Sequence, residues 1–593
     1  MVEFVTEAVN FSIWDYVVFG VILGISAGIG LYHACTGGKQ ATKEEFLLAG
    51  KSMSSLPIAL SVLASFFSAS TLLGTPAEVY QQGVTYWLSV FGAVLAPLLG
   101  AFLFGPFFHR MKLISVFEYL EKRFKSKAVR LLGGILFIFK SVLGMGIVLF
   151  GPSVALNAVT GFPVWATIVL VGLVCTFYTA LGGMKAVIWT DVFQTVIMLS
   201  GMLAIIIQGC IEVGGFEKVW KIASDGGRIN FFNFDPDPTV RHTFWTLIVG
   251  NFFGWLPPYT VDQQMIQRFS SATSLKQATM QVDILYVTGA LLLNIPGMFI
   301  IITLCCLTGL IMYAYYAECD PILQGVIDDP NQLLPRFCMD ILSHAPGVPG
   351  LFVSCLFSGA LSSVSSMLNS LAAVTWQDFC LLNKRAQGLS ERSATLINKA
   401  MSAGYAAIGI GMAFVFSNIG GTVLQMSLAF NGAVGAPLVG IFILGAFFPC
   451  VNWQGAFSGG VAGFVLSMWI SIGAYVTSPE VTIPMNFSTA ACPVMNTSNE
   501  FYSTTEIALT FTTEETDGID KLYTLSYLWY TAVGILATLF VGLIVSFITG
   551  EYFKTSVVLL NGPRTQYLET RFIVFEFIAH KLSICPLFSS VPI

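Results

Sequence analysis

The chain has 593 residues, of which 55% are hydrophobic and only 10% are charged, against roughly 25% charged in an average soluble protein. This composition excludes an ordinary soluble domain, and the formal net charge of -5 gives no indication of a nucleic-acid partner. Apolar runs of about 20 residues, the length that crosses a bilayer, recur along nearly the whole chain. The sequence therefore predicts an all-α polytopic membrane protein that lies in a lipid bilayer.

The apolar runs number thirteen, which predicts about 13 transmembrane helices. The first run is too long for a signal peptide and no basic region precedes it. In chain order the runs are 12–34, 56–80, 86–108, 129–156, 163–181, 187–209, 244–268, 281–311, 349–380, 398–417, 421–449, 453–477 and 525–548.

The distribution of lysine and arginine predicts the orientation. An odd number of spans puts the two ends on opposite sides, and an outside N-terminus places 21 of the 28 Lys and Arg in the cytoplasm. The dense basic cluster 109–130 is then cytoplasmic. Asn486 and Asn496 begin Asn-x-Ser sequons in the long polar loop 478–524, which this orientation places outside. We therefore expect glycosylation at both and a plasma-membrane location.

Enzyme motifs are missing from the sequence. It contains no C-x-x-C, H-E-x-x-H, Walker loop or nucleophile elbow, and five histidines provide few general bases. We therefore expect neither an enzyme nor a bound organic cofactor. Cys319, Cys338 and Cys492 fall in outer loops where they can oxidise, but the sequence leaves their pairing open.

Two apolar segments at corresponding positions carry signs of a broken helix. The second segment has small and hydroxylated residues at its centre, from Ala64 to Thr71, and the seventh contains Pro257-Pro258 followed by Asp262. Interrupted helices at matching positions of two repeats indicate a transporter binding site. Segments 2–6 and 7–11 would then form two five-helix units of inverted topology. The alternative is a single proline kink, with serines that let helices pack closely.

The ninth segment is unusually rich in hydroxyls, since residues 357–371 read FSGALSSVSSMLNSL. Sodium is a hard cation that prefers oxygen ligands, and a broken helix frees backbone carbonyls. Ser362 and Ser363 are about 100° apart around a helix and can bracket one ion. The alternative is that these serines serve helix packing or bond back to their own helix.

Several motifs resemble the sodium/solute symporter family, whose members share the LeuT-type fold with a 5+5 inverted repeat. The resemblance covers about residues 12–550. The closest similarity is to the monocarboxylate, multivitamin and iodide branch. The motifs that carry it are LGGMKAVIWTDVFQTVIM (181–198), GTPAEVYQQG (74–83), SVFEYLEKRF (115–124), VDQQMIQR (261–268) and the ninth segment (350–378).

The resemblance implies a sodium site between the second and ninth segments. Its ligands would be the carbonyls of Ala64, Phe67 and Gly359 and the hydroxyls of Ser362 and Ser363. Asp191, within the signature motif, resembles a family carboxylate on the cytoplasmic route of the ion; alternatively it is a charge near a helix start.

The substrate is expected between the two breaks, close to the sodium ion. The candidate residues lie in the second, seventh and eleventh segments, and aromatic residues among them would supply an apolar wall with one donor. They are Ser68, Thr71, Trp255, Tyr259, Ser427 and Asn431.

Lys140 departs from the family pattern because it puts a lysine inside the fourth segment. A buried ammonium must be paired or deprotonated. It could pair with Asp191, neutralise a substrate carboxylate or replace a second ion; alternatively it extends to the cytoplasmic interface.

The sequence as a whole predicts a secondary-active symporter that imports a small organic anion, a monocarboxylate or a vitamin-like carboxylate, together with Na⁺. The alternatives are a sodium-gated sensor or channel, or a symporter of an iodide-like anion or a neutral solute; the oligomeric state is left open. The predicted organisation is an extracellular N-terminus (1–11), a first span and cytoplasmic loop (12–55), a first repeat (56–209), an extracellular loop (210–243), a second repeat (244–449), two additional spans (453–548) and a cytoplasmic tail (549–593).

Overall fold

The structure is a computed structural model of the chain. It describes residues 11–36, 42–104, 108, 111, 113–271, 280–327, 329–419, 422–477, 485, 487–490, 492, 518 and 520–549. Within these ranges every regular element is helical.

The helices used in the argument below are labelled in chain order. They are α1 (Ile13–Cys35), α2 (Ser55–Phe66), α3 (Ala69–Gln82), α4 (Ser89–Leu99), α5 (Lys127–Thr160), α6 (Val164–Val213), α7 (Asn251–Thr260), α8 (Gln263–Ser270), α9 (Met280–Tyr316), α10 (Leu333–Leu342), α11 (Val348–Val374), α12 (Glu391–Phe416), α13 (Val423–Phe447), α14 (Trp453–Thr477) and α15 (Tyr530–Ile548). Shorter α-helices are Lys43–Leu48, Glu118–Phe124, Phe216–Asp225, Lys384–Gln387 and Asp520–Tyr523.

The described helices are those of a multi-pass membrane protein. Ten helical segments are long and apolar enough to cross a bilayer, and the bent pair α2 and α3 brings the number to as many as eleven. Three of the thirteen predicted runs do not appear as separate spanning helices. Helix α6 is 50 residues long and bends at Gly183 (φ 59°, ψ -161°), so it includes both 163–181 and 187–209. The run 244–268 is divided into pieces that are individually too short.

The break in the seventh segment does not lie at the two prolines, contrary to the prediction. Pro257 and Pro258 are inside α7, which continues to Thr260. The chain leaves the helical path at Val261 and Asp262, where the Asp262 side chain accepts a hydrogen bond from the Gln264 backbone and begins α8. The fixed φ of proline, about −65°, is compatible with helical geometry even though each proline removes one hydrogen bond of the helix. The N-cap aspartate, which must adopt extended backbone angles, therefore sets the position of the break.

The hydroxyl-rich α11 lies at the centre of the bundle. In the most apolar 18-residue stretch of this segment, 89% of the residues are buried inside the protein. The corresponding value is 83% for α13 and 22% for α1. A helix covered by protein on all sides can carry hydroxyls because neighbouring helices supply their hydrogen-bond partners. The serines of α11 therefore face other helices rather than lipid.

The outer-loop cysteines have one defined pairing. Cys319 and Cys492 form a disulfide, and 173 residues separate them in sequence. Cys338 is a free, buried thiol on α10, a short helix in the connection between α9 and α11. Hydrophobic packing along α10 explains its burial. The sequons at Asn486 and Asn496 lie outside the described residues.

Candidate functional site

The helix break in the second segment lies where the sequence predicts it. Helix α2 ends at Phe66, and Phe67 (φ -92°, ψ 83°) and Ser68 (φ -82°, ψ 176°) separate it from α3. The two helices meet at an angle of 57°. The last carbonyls of a helix have no partner within it. The break therefore frees the oxygens of a segment that includes two of the predicted sodium ligands, Ala64 and Phe67, both fully buried.

Helix α11 packs directly against this break. A Cβ on Gly359 would lie 2.9 Å from the Ala69 nitrogen, so only glycine allows this approach. The Ser363 hydroxyl donates to the carbonyls of Ser65 at 2.9 Å and of Gly359 at 3.0 Å. These contacts bring three oxygens together where the helices meet: the Ser363 hydroxyl and the carbonyls of Ser65 and Gly359. They bring together the region of the predicted sodium site.

Ser362 has a different partner, since its hydroxyl donates to Asp191 Oδ1 at 2.6 Å. Asp191 is fully buried, and Ser61 also donates to its other oxygen at 2.5 Å. It lies eight residues beyond the α6 bend at Gly183 and contacts α2 and α11. Asp191 is thus a buried connection among three helices beside the proposed ion position, rather than a charge at a helix start.

Arg268 forms an ion pair with Asp191 that the sequence reasoning missed. The guanidinium is fully buried, and its Nη2 lies 3.2 Å from Asp191 Oδ2. It also donates to Ser61 at 2.8 Å, to Ser366 at 2.6 Å and to Ser65. Arg268 ends the apolar run 244–268, a position from which a cation can usually reach water. The sequence contained one sign of this pair: Asp191 lies within an apolar segment, and a charge inside the membrane requires a partner of opposite charge.

A cavity of about 110 Å³ lies between the two breaks. Its wall includes five of the six predicted substrate residues. They come from α3 and its N-cap, from α7 and from α13. These are Ser68, Thr71, Trp255, Ser427 and Asn431. The cavity also reaches the loop and start of α15 through Tyr527 and Thr531.

Tyr259 is the exception among the predicted substrate residues. Its side chain is buried outside the cavity wall, and its hydroxyl donates to Asn294 Oδ1 at 2.8 Å. Residue 255 is one helical turn earlier and lies on the cavity side, where the Trp255 ring stacks on Phe67 at 5.4 Å between centroids. Tyr259 lies on the same face of α7, with the two ring centroids 6.0 Å apart, but one turn further along the helix its neighbour is Asn294 of α9 and not the cavity.

Lys140 lies in the cavity wall and is paired with Asp262. The ammonium is 2.7 Å from Asp262 Oδ2, and the two residues are 8% and 2% exposed. The possible pairing of Lys140 with Asp191 is therefore wrong, because Asp191 pairs with Arg268. Extension to the cytoplasmic interface is wrong as well, since a lysine that reaches the interface keeps its head group in water.

A further ion pair, Glu78–Arg241, lies beside the cavity residue Tyr527. Arg241 contacts both carboxylate oxygens of Glu78, at 2.6 and 2.9 Å, and its guanidinium lies 5.0 Å from the centre of the Tyr527 ring. It also donates to Gln425 at 3.2 Å. Because Glu78 is on α3 and Gln425 on α13, Arg241 links two helices that both contribute to the cavity wall.

The chain resembles transporters over most of its length. It is 44% identical to sodium-coupled monocarboxylate transporter 1 of Mus musculus over 573 residues, which cover 95% of this chain and 90% of the relative. It is 45% identical to the sodium-dependent multivitamin transporter of Oryctolagus cuniculus, with 91% and 83% covered. A sodium-coupled sialic acid symporter in an outward-open state has the same fold (TM-score 0.71, 22% identity, 91% and 98% covered). The model of the sodium:solute symporter family matches residues 46–463, and the chain is a member of that family.

Proposed function

We propose that the protein is a Na⁺-coupled symporter that imports a small organic anion, a monocarboxylate or a vitamin-like carboxylate. The observation that carries this proposal is the cavity between two helix breaks, whose wall combines hydroxyls with a single ammonium group. The family membership and the sodium-coupled carboxylate transporters among the relatives support the same function.

The coupling Na⁺ would bind where α11 meets the break between α2 and α3. Its ligands would be the carbonyls of Ala64, Phe67 and Gly359 and the hydroxyls of Ser362 and Ser363. The close approach of Gly359 to the break supports this assignment. Ser362 now donates to Asp191, so it would turn a lone pair towards the ion while it keeps that hydrogen bond. Asp191 would hold the Ser362 side chain in position through its hydrogen bond, and it would lie on the ion's route to the cytoplasm.

The substrate would occupy the adjacent cavity. Ser68 and Thr71 would contact it from α3 and its N-terminus, Trp255 from α7, and Ser427 and Asn431 from α13. The Asn431 amide donates a hydrogen bond to the Ser427 hydroxyl at 3.3 Å, so these two side chains would form a preorganised polar surface for the substrate. A volume of about 110 Å³ holds several waters, since each needs roughly 10–15 Å³ of such space. The cavity therefore suits an anion of a few heavy atoms in this conformation.

The proposed topology has thirteen spans, with inverted repeats at 56–209 and 244–449. Helix α6 supports two crossings, because 50 residues at 1.5 Å each are about 75 Å long against a core of about 30 Å. The π-helical turn Trp245–Gly250 and the helices α7 and α8 would together form a further crossing. The N-terminus would be extracellular and the tail cytoplasmic, with the protein in the plasma membrane.

Sodium would couple to the anion through the shared wall between the two sites. An ion that orders the α2–α3 break also positions Ser68 and Thr71, so each ligand should raise the affinity for the other. Rocking of the bundle against the remaining helices would then expose both to the cytoplasm. Each net positive charge carried inward gains about 2.3 kcal/mol per 100 mV of membrane potential.

Tracer uptake in cells that express the full chain tests this function. Lactate, pantothenate, biotin and iodide are compared in Na⁺ and in choline buffer. We expect Na⁺-dependent accumulation of at least one carboxylate and none of iodide. Sodium-dependent current without accumulation of any tracer would instead indicate a sensor or channel and refute symport.

A further inference from the structure

A groove on the outer surface of the bundle lies between α1 and the second half of α6. It has a volume of about 520 Å³. On α1 its residues follow one helix face from Ile25 to His33, and on α6 they follow one face from Trp189 to Val196. Ile25, Trp189 and Val196 are 43%, 42% and 59% exposed. Because both helices are long and apolar enough to span the membrane, the groove opens to lipid.

The groove is apolar along most of its length and polar at one end. Its lining side chains are aliphatic or aromatic, and the most polar groups among them are the hydroxyl of Tyr32 and the imidazole of His33. Lys185 lies one helical turn before Trp189, on the same face of α6, and is close enough to His33 for the two to interact electrostatically. The polar end therefore combines an ammonium group with two further hydrogen-bonding groups.

Lys185 has no carboxylate to balance its charge within the part of the chain that the structure describes. Its side chain is partly buried, whereas the more deeply buried cations Lys140 and Arg268 are each paired with an aspartate. A cation at the edge of the hydrocarbon region attracts an anion that can reach it. The groove beside Lys185 gives a lipid such access.

The expected leaflet supplies an anion of the right kind. Lys185 lies two residues beyond the α6 bend at Gly183, between the predicted runs 163–181 and 187–209. The proposed topology places this point at the cytoplasmic interface, and the cytoplasmic leaflet of a plasma membrane carries the anionic phospholipids. The leaflet assignment rests on that topology, whereas the groove and its charge do not.

We propose that the groove between α1 and α6 binds an anionic phospholipid. One acyl chain would lie along the apolar part between Ile25 and Val196. The headgroup phosphate would accept hydrogen bonds from Lys185, Tyr32 and His33. Seven residues separate Ile25 from Tyr32, so the apolar part extends for about 10 Å before the polar end begins.

The lipid would act on the half of α6 that carries Asp191. Trp189 and Asp191 are two residues apart and therefore about 200° apart around the helix. Trp189 faces the groove, and Asp191 is fully buried on the other side. A phosphate bound by both Lys185 and His33 would link α1 to α6 beyond its bend. Anionic lipid should therefore also raise the thermal stability of the purified chain.

Fluorescence quenching of the purified full chain in detergent micelles tests the binding. The protein is titrated with phosphatidylserine or phosphatidylcholine that carries brominated acyl chains. The chain has 11 tryptophans, so the signal of the groove is the part that Trp189→Phe removes. Trp165→Phe is the control, because Trp165 is 63% exposed near the start of α6 and outside the groove. We expect saturable quenching, with half-saturation at an about fivefold lower concentration of phosphatidylserine.

Two pairs of variants separate the headgroup from the acyl chain. Lys185→Met should abolish the preference for phosphatidylserine, whereas Lys127→Met at the exposed start of α5 should not. Gly28→Leu should weaken the binding of both phospholipids about tenfold, because a Cβ on this groove residue meets no atom within 4 Å and a leucine can fill the space. Gly20→Leu is the matched control, since Gly20 is equally open on the same helix but lies outside the groove.

The other possible results overturn the proposal. Equal affinity for the two phospholipids refutes it, and so does a preference that Lys185→Met retains or that Lys127→Met also abolishes. Displacement of brominated phosphatidylserine by cholesterol would identify a sterol groove instead. A dimer in native mass spectrometry that Gly28→Leu dissociates would place a second copy of the chain there. If Lys185→Met does not fold, the lipid preference of the unaltered protein and the two glycine variants decide. Because binding is measured without uptake, none of these results changes the case for symport.

Discussion

The buried pair Asp191–Arg268 should behave as one energetic unit. Arg268→Met removes a guanidinium that is fully buried and leaves the equally buried Asp191 carboxylate with the hydroxyls of Ser61 and Ser362 as hydrogen-bond donors. Breaking a buried ion pair from one side typically costs about 3–5 kcal/mol. This is a large fraction of the roughly 5–15 kcal/mol that stabilises a folded domain. We therefore expect strong destabilisation of the single variant.

The double variant Arg268→Met with Asp191→Asn removes both charges and should recover part of the loss. We expect the destabilisation of the double variant to be at least about 2 kcal/mol smaller than the sum of the two single variants. The measurement is the free energy of unfolding of the purified protein in micelles, from denaturant titrations followed by tryptophan fluorescence.

An exposed pair provides the control for this cycle. Lys122 lies 3.3 Å from Glu118 on the next helical turn, and both side chains are partly exposed to solvent. Lys122→Met should cost less than about 1 kcal/mol. If the losses of Asp191→Asn and Arg268→Met simply add, the two residues do not act as a pair and the reasoning from burial is refuted.

Three further predictions concern the ion site, the disulfide and the orientation. Ser363→Ala should raise the Na⁺ concentration for half-maximal uptake about tenfold, because one neutral ligand is worth on the order of 1–3 kcal/mol; an unchanged value contradicts the site. In cells, and with Cys210→Ser throughout because Cys210 is a free, partly exposed thiol at the start of the outer loop 210–243, Cys319→Ser should expose the thiol of Cys492 to an impermeant maleimide that labels neither the parent nor the double variant with Cys492→Ser; labelling of the parent before reduction contradicts the bond. Asn486→Gln with Asn496→Gln should abolish a glycosidase-sensitive mass shift and keep uptake, and a protein without that shift in glycosylating cells argues against an outside loop.

The sequence alone determined the class of protein and the position of the first helix break. Long apolar runs identify membrane helices because the bilayer excludes unsatisfied backbone, whatever the neighbouring helices are. The run of small and hydroxylated residues likewise indicated the break at Phe67 and Ser68. These features are local, and their physical cause acts on each segment by itself.

The tertiary structure decided which buried charges meet. Lys140 lies 122 residues from Asp262, and Asp191 lies 77 residues from Arg268. Every one of these charges needed a partner, but the sequence does not state which helices touch or which face each presents. The sequence likewise does not state how far the cavity extends along α7: Tyr259 lies on the same face as the cavity residue Trp255, one turn further on, but contacts Asn294 of α9. Partner choice depends on helix packing and on the rotation of each helix about its axis, and the fold sets both only when all segments pack together.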